Sequence, residues 1–439
     1  MPGGLTAGLF DGLVRPKYSP PRPYEGVAVD APSTDRKAGN TVVKSGVTAL
    51  ALLFLFAGQS RAGDYAIFGP EFVSTLASVR TSEDGAASVA RAEAALARTP
   101  GPLPVVHTEG TLPGQGIRDV SLVARRDLPT MLDFALAYRI TGERRYLDAA
   151  DRFLLAWAET YIVSLNPIDE TNFDTMILAY DLTEPNLPAS TRVAVDGFLR
   201  SLATGYLDDM DGAPKHFYTN WQSHRIKIAA LASFQLGDPR LIERTFEDYQ
   251  KHVASNVLPE GTVFDFYERD AIHYVLYNVD PMMVAGLAAQ AHGLDWFDWK
   301  NASGTGVSSV IDWLTPYVEG VRTHQEFIHS RIEFDAQRLA AGQTEYAGPW
   351  RPERAVNTLA LASLLDDRYF ALFERLLAAT DRRPPPWMTL YRMTRSTDGG
   401  RDQPGAAAAP HLGIPPSHPA RSGRSGLDTS DASRLKRGR

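Results

Sequence analysis

From Asp119 to Leu377, apolar residues recur three and four positions apart, the spacing of one face of an α-helix. Met131, Phe134, Ala135 and Tyr138 form one such set, and Ile226, Ala230 and Phe234 another. Val310, Ile311, Leu314, Tyr317, Val318 and Val321 form a third, and Val356, Leu359, Ala360 and Leu364 a fourth. Alternation of period two bounded by turns is scarce, so the expected class is all-α. A turn pattern recurs between the helical stretches at Ile140–Leu147, Leu236–Leu241 and Leu365–Phe370: a Gly or Asp, then Arg, then an aromatic or aliphatic residue. Gly142 and Gly237 suit the left-handed position that ends a helix, and Asp238-Pro239 supplies an N-cap followed by proline at the first helical position. Such turns join antiparallel helices. A regular solenoid would keep one period, yet 95 residues separate Gly142 from Gly237. The expected fold is therefore an incomplete (α/α) toroid built from antiparallel helical hairpins, its long aromatic-rich loops gathered at one mouth.

Both ends of the chain break this pattern. Lys44, the uncharged run Val47–Gly58 and the triplet Ser60-Arg61-Ala62 have the order of a signal peptide, with Gly63 as the mature start. The run is far shorter than the roughly 20 residues that span a bilayer, so stable membrane insertion is not expected. After Arg392 the chain has no Phe, Trp or Tyr and is crowded with Gly, Pro, Ser and Arg, a composition that cannot offset the entropy of ordering. The expected organisation is an N-terminal extension and signal peptide over 1–62, the toroid over 63–392, and a disordered tail over 393–439. Localisation is expected to be periplasmic or secreted.

Charge narrows the choice of partner. The 439 residues carry a formal charge of −7, and both ends are basic. Residues 63–392 therefore hold 30 basic against 44 acidic side chains. An acidic body argues against nucleic acid as a partner. The absence of cysteine excludes disulfides, thiol nucleophiles and cysteine-ligated metals. No phosphate-cradling glycine loop, dinucleotide fingerprint or serine-nucleophile elbow is present, which disfavours kinases, Rossmann oxidoreductases and serine hydrolases.

Two polar stretches can carry chemistry. The first, His216–Arg225, opens a helix at Thr219 or Asn220 and puts Asn220 and His224 one turn apart, with Trp221 and Gln222 between them. An amide and an imidazole at a helix N-terminus suit an anion; a capped helix with a hydrogen-bonded histidine is the plain alternative. In the second, Leu258–Pro281, Arg269, His273 and Tyr277 are expected on one helical stripe with Tyr274 beside it. Ordinary core tyrosine and histidine is the alternative there. Further candidates are Asn172 ahead of an apolar helix, the carboxylates Asp119, Asp265 and Asp270, and an aromatic loop with Tyr346 and Trp350 that can stack on a sugar. His324, Glu326, His329 and Glu333 are ligand types, but on a helix 324 and 329 would diverge by about 140°. No metal or other cofactor is expected.

Amide, imidazole, guanidinium and phenol groups in an aromatic helical cleft match β-elimination from a uronic-acid polymer. Such a reaction must neutralise the carboxylate, remove the C5 proton and protonate the departing O4. Three stretches resemble the alginate lyase superfamily of (α/α)-toroid polysaccharide lyases: Asn220-Trp221-Gln222-Ser223-His224, the run from Leu258-Pro259 to His273-Tyr274-Val275-Leu276-Tyr277, and Glu170-Thr171-Asn172-Phe173 with Leu178–Leu182. In the mannuronate lyases of that group an Asn-Asn-His block precedes an Arg and a Tyr-His-Asn-Tyr run whose first tyrosine is catalytic. The resemblance implies that Tyr274 is the acid/base tyrosine and Tyr277 its companion. This chain departs from the pattern in placing Gln222 where the block has histidine, with His224 two residues on, and in the distance from Arg269 to the tyrosine.

The expected activity is a polysaccharide lyase acting on alginate or a related 1,4-linked polyuronate, an anionic polysaccharide. Asn220, with Gln222 or Arg269, neutralises the carboxylate; His224 or His273 is base or orienter; Tyr274 passes protons to the leaving oxygen. Gln222, Asn172, Tyr277, Trp221, Tyr346 and Trp350 bind substrate. An (α/α)-barrel glycoside hydrolase using Asp265 and Asp270 is the enzymatic alternative, and a non-catalytic periplasmic polysaccharide-binding protein the other. The acidic body weighs against a polyanionic substrate unless Arg225, Lys227 and Arg269 make the cleft locally positive.

Overall fold

A computed structural model describes residues 64–212 and 214–396; the expected signal peptide and the chain beyond 396 lie outside the described residues. Sixteen α-helices follow one another among the described residues. They are α1 (Pro70–Thr75), α2 (Glu83–Ala95), α3 (Arg118–Ala124), α4 (Asp127–Thr141), α5 (Arg144–Thr160), α6 (Phe173–Thr183), α7 (Ala189–Asp211) and α8 (Asn220–Gln235). The second half holds α9 (Pro239–Asn256), α10 (Phe264–Arg269), α11 (Ile272–Ala291), α12 (Val307–Val318), α13 (Glu333–Ala340), α14 (Val356–Leu365), α15 (Phe370–Ala378) and α16 (Pro386–Ser396). Two short strands, β1 (Gln325–Glu326) and β2 (Gly348–Pro349), pair antiparallel. None of these helices is long and apolar enough to cross a membrane.

Burial sorts the helices into two layers. Every residue of α8 but Trp221 is buried, and every residue of α14 but Asn357. Such helices need neighbours all round. By contrast α5 buries Tyr146, Leu147, Ala149, Ala150, Phe153, Leu154 and Trp157, and α9 buries Leu241, Thr245, Asp248, Tyr249, His252, Val253 and Asn256, each a single stripe. Packing follows suit. The inner helices α4, α6, α8, α11 and α14 touch in that order, and α16 and α2 bridge α14 back to α4. Outside them α5, α7 and α9 pack side by side, while α12 and α15 cover α11 and α14. This is the helical toroid, with inner and outer helices alternating along the chain.

Local chemistry makes the turns. Gly142 ends α4 at φ 75°, and its N–H returns to the Tyr138 carbonyl. Gly237 has φ 57°, and the Asp238 carboxylate then accepts from the N–H groups of Arg240 and Leu241, with Pro239 opening α9. Val321 departs from expectation: α12 stops at Val318, the chain turns at Gly320 with φ 71°, and Val321 is 76% exposed.

The inner helices run in one direction. Their C-terminal ends are tied by the first described segment: Asp181 near the end of α6 accepts from Ile67 and Phe68 N–H, both at 2.8 Å. Tyr65 donates to the carbonyl of Ala291 at the end of α11, and Gln235 at the end of α8 donates to the Asp64 carbonyl. Burial lifts the Asp181 carboxyl to about 6, against the pull of these backbone N–H groups. Replacing Asp181 with Ala leaves two buried N–H groups without an acceptor. It should cost about 2 kcal/mol in urea unfolding; an unchanged midpoint would show that the segment is not held there.

Candidate active site

Five inner-helix N-termini open on one mouth. Arg125 precedes α4, Thr171 and Asn172 precede α6, Thr219 precedes α8, Ala271 precedes α11, and Arg354 precedes α14. Beneath this mouth lies a fully buried carboxylate, Asp265. Its Oδ1 accepts from the Asn220 N–H at 3.0 Å and from Asn220 Nδ2 at 2.5 Å. Its Oδ2 accepts from Asn278 Nδ2 at 2.7 Å and Asn256 Nδ2 at 3.2 Å. Burial pushes the Asp265 carboxyl up and the three asparagines pull it back. The α8 N-terminus is therefore occupied by the protein's own anion. Thr219 stands at the cap position but makes no side-chain cap bond. Asn220 is a strut of this hub rather than a free ligand for a substrate carboxylate.

Beside the hub, tyrosine and histidine rings pack together. His224 is buried, its Nδ1 2.7 Å from Thr171 Oγ1 and its Nε2 without a well-formed hydrogen bond among the described residues. Its ring lies 4.4 Å from that of Tyr277, which lies 6.1 Å from Tyr274. His273 stands 5.2 Å from Tyr274 and 5.9 Å from Tyr346. Burial, with Arg354, Arg338 and Arg269 nearby, lowers His273 to about 4. Burial and then Lys227 hold His224 well below its ordinary value. Both imidazoles are neutral at pH 7.

Tyr274 is the most elaborately held of these groups. Arg338 Nη1 donates to its hydroxyl at 2.9 Å, and the Arg269 guanidinium lies 4.1 Å from its ring centre. Burial holds the phenol above its ordinary value, and the two arginines offset that only in part. Arg269 donates to Asp335 at 2.5 Å, and Arg338 also lies 4.8 Å over the Tyr346 ring. Phe327 closes the group, 6.0 Å from Tyr274 and 5.0 Å from Tyr346.

The opposite wall is also basic. Arg125 Nη1 donates to Thr108 Oγ1, and Arg118 Nη1 to the Thr108 carbonyl. Neither pairs directly with Asp169, whose oxygens are bonded by His107, Thr108 and Glu109. Burial lowers Arg125, opposed by Tyr277 and Asp169. Arg125 and Arg354 have no ion-pair partner among the described residues.

Several expectations are corrected. The stripe of Arg269, His273 and Tyr277 is broken: Asp270 adopts φ 49°, ψ 49°, so Arg269 ends α10 while the other two lie on α11. Gln222 is buried and accepts from Arg225, which is itself paired with Asp209. Lys227 is spent on Asp174 and Thr171. Of the three expected cleft cations only Arg269 reaches the site. Trp221 packs with His216, Lys215 and Arg225 instead of the tyrosines. Trp350 is 7% exposed and belongs to the core, so it offers no stacking face. The segment of His324 and His329 is not helical; both histidines turn to Asp270. Asp265 and Asp270 do not form a hydrolytic pair, the one being sealed and the other taken up by these histidines. Tyr346 joins the site, and Asn172 stands half-buried at the head of α6. Arg338, Asp335, Phe327, Arg125 and Arg354 were not among the candidates; no local spacing links them to Tyr274.

The sequence model of the alginate lyase family matches residues 74–324, more than half of the chain. Among solved structures, an alginate lyase from Bacteroides ovatus is similar at TM-score 0.52 and 18% identity, over 72% of this chain and 96% of that one. Alginate lyase A1-III from Sphingomonas species A1 gives TM-score 0.46 at 17% identity, over 59% and 78% of the two chains. At 18% identity the likeness to the Bacteroides ovatus structure shows the fold alone. No curated protein matches the sequence.

The hub makes a clear prediction. Asp265→Ala strands three amides and the first N–H of α8, and should cost about 3 kcal/mol or more in urea unfolding. A stable variant would contradict the structural role.

Proposed function

This chain belongs to the alginate lyase family and is a polysaccharide lyase; we propose that it cleaves alginate or a related 1,4-linked polyuronate by β-elimination at the mouth of the inner helices. The observation that carries this reading is the Tyr274 hydroxyl, held by Arg338 with Arg269 against its ring. Two guanidinium groups favour the phenolate against the burial that keeps the phenol above its ordinary value, so the reactive form grows in toward high pH. In that form Tyr274 takes the C5 proton of the uronate; the C4–O4 bond breaks as the C4–C5 double bond forms, and the phenol returns the proton to O4. The tyrosine ends as it began.

Removal of the C5 proton needs the adjacent carboxylate neutralised. Arg125 and Arg354 are half-buried and without acidic ion-pair partners among the described residues, and they stand where inner-helix N-termini add positive potential. They take the role first expected of Asn220 with Gln222 or Arg269. His273, neutral beside Tyr274, accepts a hydrogen bond from the sugar or orients it, and Tyr346 and Asn172 flank the bound chain. His224 and Tyr277 support the floor. Hydrolysis by paired carboxylates has less support, since Asp265 has no access to solvent. The run Val47–Gly58 supports export to the periplasm or beyond, where such a polymer is met.

Purified protein should be mixed with polymannuronate, polyguluronate and glucuronan while the ultraviolet band of the unsaturated uronate is followed. A growing band on at least one polymer is expected, with none on any of them overturning the reading. Reducing ends without the chromophore would mean a hydrolase. Tyr274→Phe should lower kcat by about 10²- to 10⁴-fold, and full rate in that variant would remove Tyr274 from the mechanism. Because the phenolate is the reactive form, kcat should rise with pH through the neutral and alkaline range.

A further inference from the structure

We propose that Asp335 is the positioning residue of the proton-transfer centre, its carboxylate clamping Arg269 and Arg338 against Tyr274. This rests on the reading that Tyr274 moves the proton. Asp335 is 2% exposed, and its Oδ1 accepts from Arg269 at 2.5 Å and lies 3.9 Å from Arg338 Nη1. Its Oδ2 accepts from Ser330 Oγ at 2.7 Å, so the carboxylate is fixed from both sides. The same two arginines meet Tyr274, one at its hydroxyl and one over its ring. Three elements thus converge: α10 brings Arg269, α11 the tyrosine, and α13 both Asp335 and Arg338.

The segment that carries α13 is built for this. It leaves and rejoins the fold through the β1–β2 pair, and its backbone docks on the α10–α11 joint, Phe327 N–H on the Asp270 carbonyl and Arg331 N–H on that of Glu268. The remaining groups around Tyr274 are His273 and Tyr277 on its own helix, with Phe327 and Tyr346 from the same segment as α13. Glu326 faces the N–H of His273. No other carboxylate touches the two arginines among the described residues, so Asp335 is the acid that ties their charges to one point, with the Phe334 and Tyr346 rings flanking Arg338.

Asp335 acts on Tyr274 in two opposite ways, and the sign separates them. As a bare negative charge it raises the phenol, and neutralising it would move the ionisation to lower pH. As the clamp, its loss frees both guanidinium groups and moves the ionisation to higher pH.

The test compares the full-length protein with Asp335→Asn, Asp335→Glu and Ser330→Ala, each also made with Tyr274→Phe. The phenolate absorbance of each protein minus its Tyr274→Phe partner reports Tyr274 directly. Asp335→Asn should shift that titration, and the rising limb of kcat, alkaline by about one pH unit. It should lower kcat about 100-fold with KM changed far less, and Asp335→Glu should recover part of the loss. If Asp335→Asn does not fold, as judged by circular dichroism, Ser330→Ala keeps the charge and loosens the clamp, and a smaller alkaline shift is expected. An acid shift or an unmoved titration overturns the proposal. Because the titration needs no turnover, inactivity of the wild type on every polyuronate would overturn the substrate reading without touching this result.

Discussion

The Asp265 carboxylate is the interaction on which the mouth of the toroid depends. Taking a carboxylate out of water costs several kcal/mol, and here it is compensated by four donors from three helices. Asn220 begins α8, Asn256 ends α9 and Asn278 lies in the second turn of α11. The bonds that offset the burial of one charge therefore also set the register of those helices at their upper ends. His224 lies one turn below Asn220 and Tyr277 one residue before Asn278. The 4.4 Å contact between their rings is fixed by the same carboxylate. Tyr274, a further turn up α11, inherits its position from it.

That arrangement reconciles an acidic protein with an anionic substrate. The carboxylates nearest the mouth are consumed internally: Asp265 by asparagines, Asp169 by the N–H groups of Thr108 and Glu109 and by the His107 ring, Asp174 by Lys227. What the mouth presents is the charge of Arg125 and Arg354, which have no ion-pair partner among the described residues, the half-paired charge of Arg338, and the dipoles of those inner helices whose N-termini Asp265 and Glu326 do not fill. Net charge governs encounter at long range, where salt screens it; contact-range binding depends on groups within a few ångströms. The excess of acidic residues in the body is thus compatible with a basic cleft.

Much of the fold was legible because its determinants are local. Gly142, Gly237 and Asp238-Pro239 act within a few residues of the turns they make; the all-round burial of α8 and α14 goes beyond the single faces the spacing marks, α8 taking even Arg225 and Lys227 inside with their partners. Tyr274, Tyr277, His273 and His224 were also legible, since a cluster of such side chains in two short runs is unusual. What failed was whatever depended on partners distant in sequence. Asn220 reads as a vacant cap until Asp265, 45 residues on, is seen to fill it. Arg269 reads as part of a helical stripe until Asp270 turns left-handed. Arg338 lies 64 residues from the hydroxyl it binds, on a segment with no pattern of its own. Trp350 resembled an exposed stacking surface because a short aromatic loop gives no indication of which ring the core will take.

The central claim is that the reacting sugar lies across the inner-helix mouth, between the Arg125 wall and the Arg338 wall, with its C5 hydrogen at Tyr274. A crystal structure of the Tyr274→Phe variant soaked with a short uronate oligomer tests this most directly. The account predicts one uronate with C4 and C5 over residue 274 and its carboxylate directed at Arg125 or Arg354. An oligomer bound on the outer helices, or one lying across the mouth with its carboxylates turned away from both arginines, would contradict it.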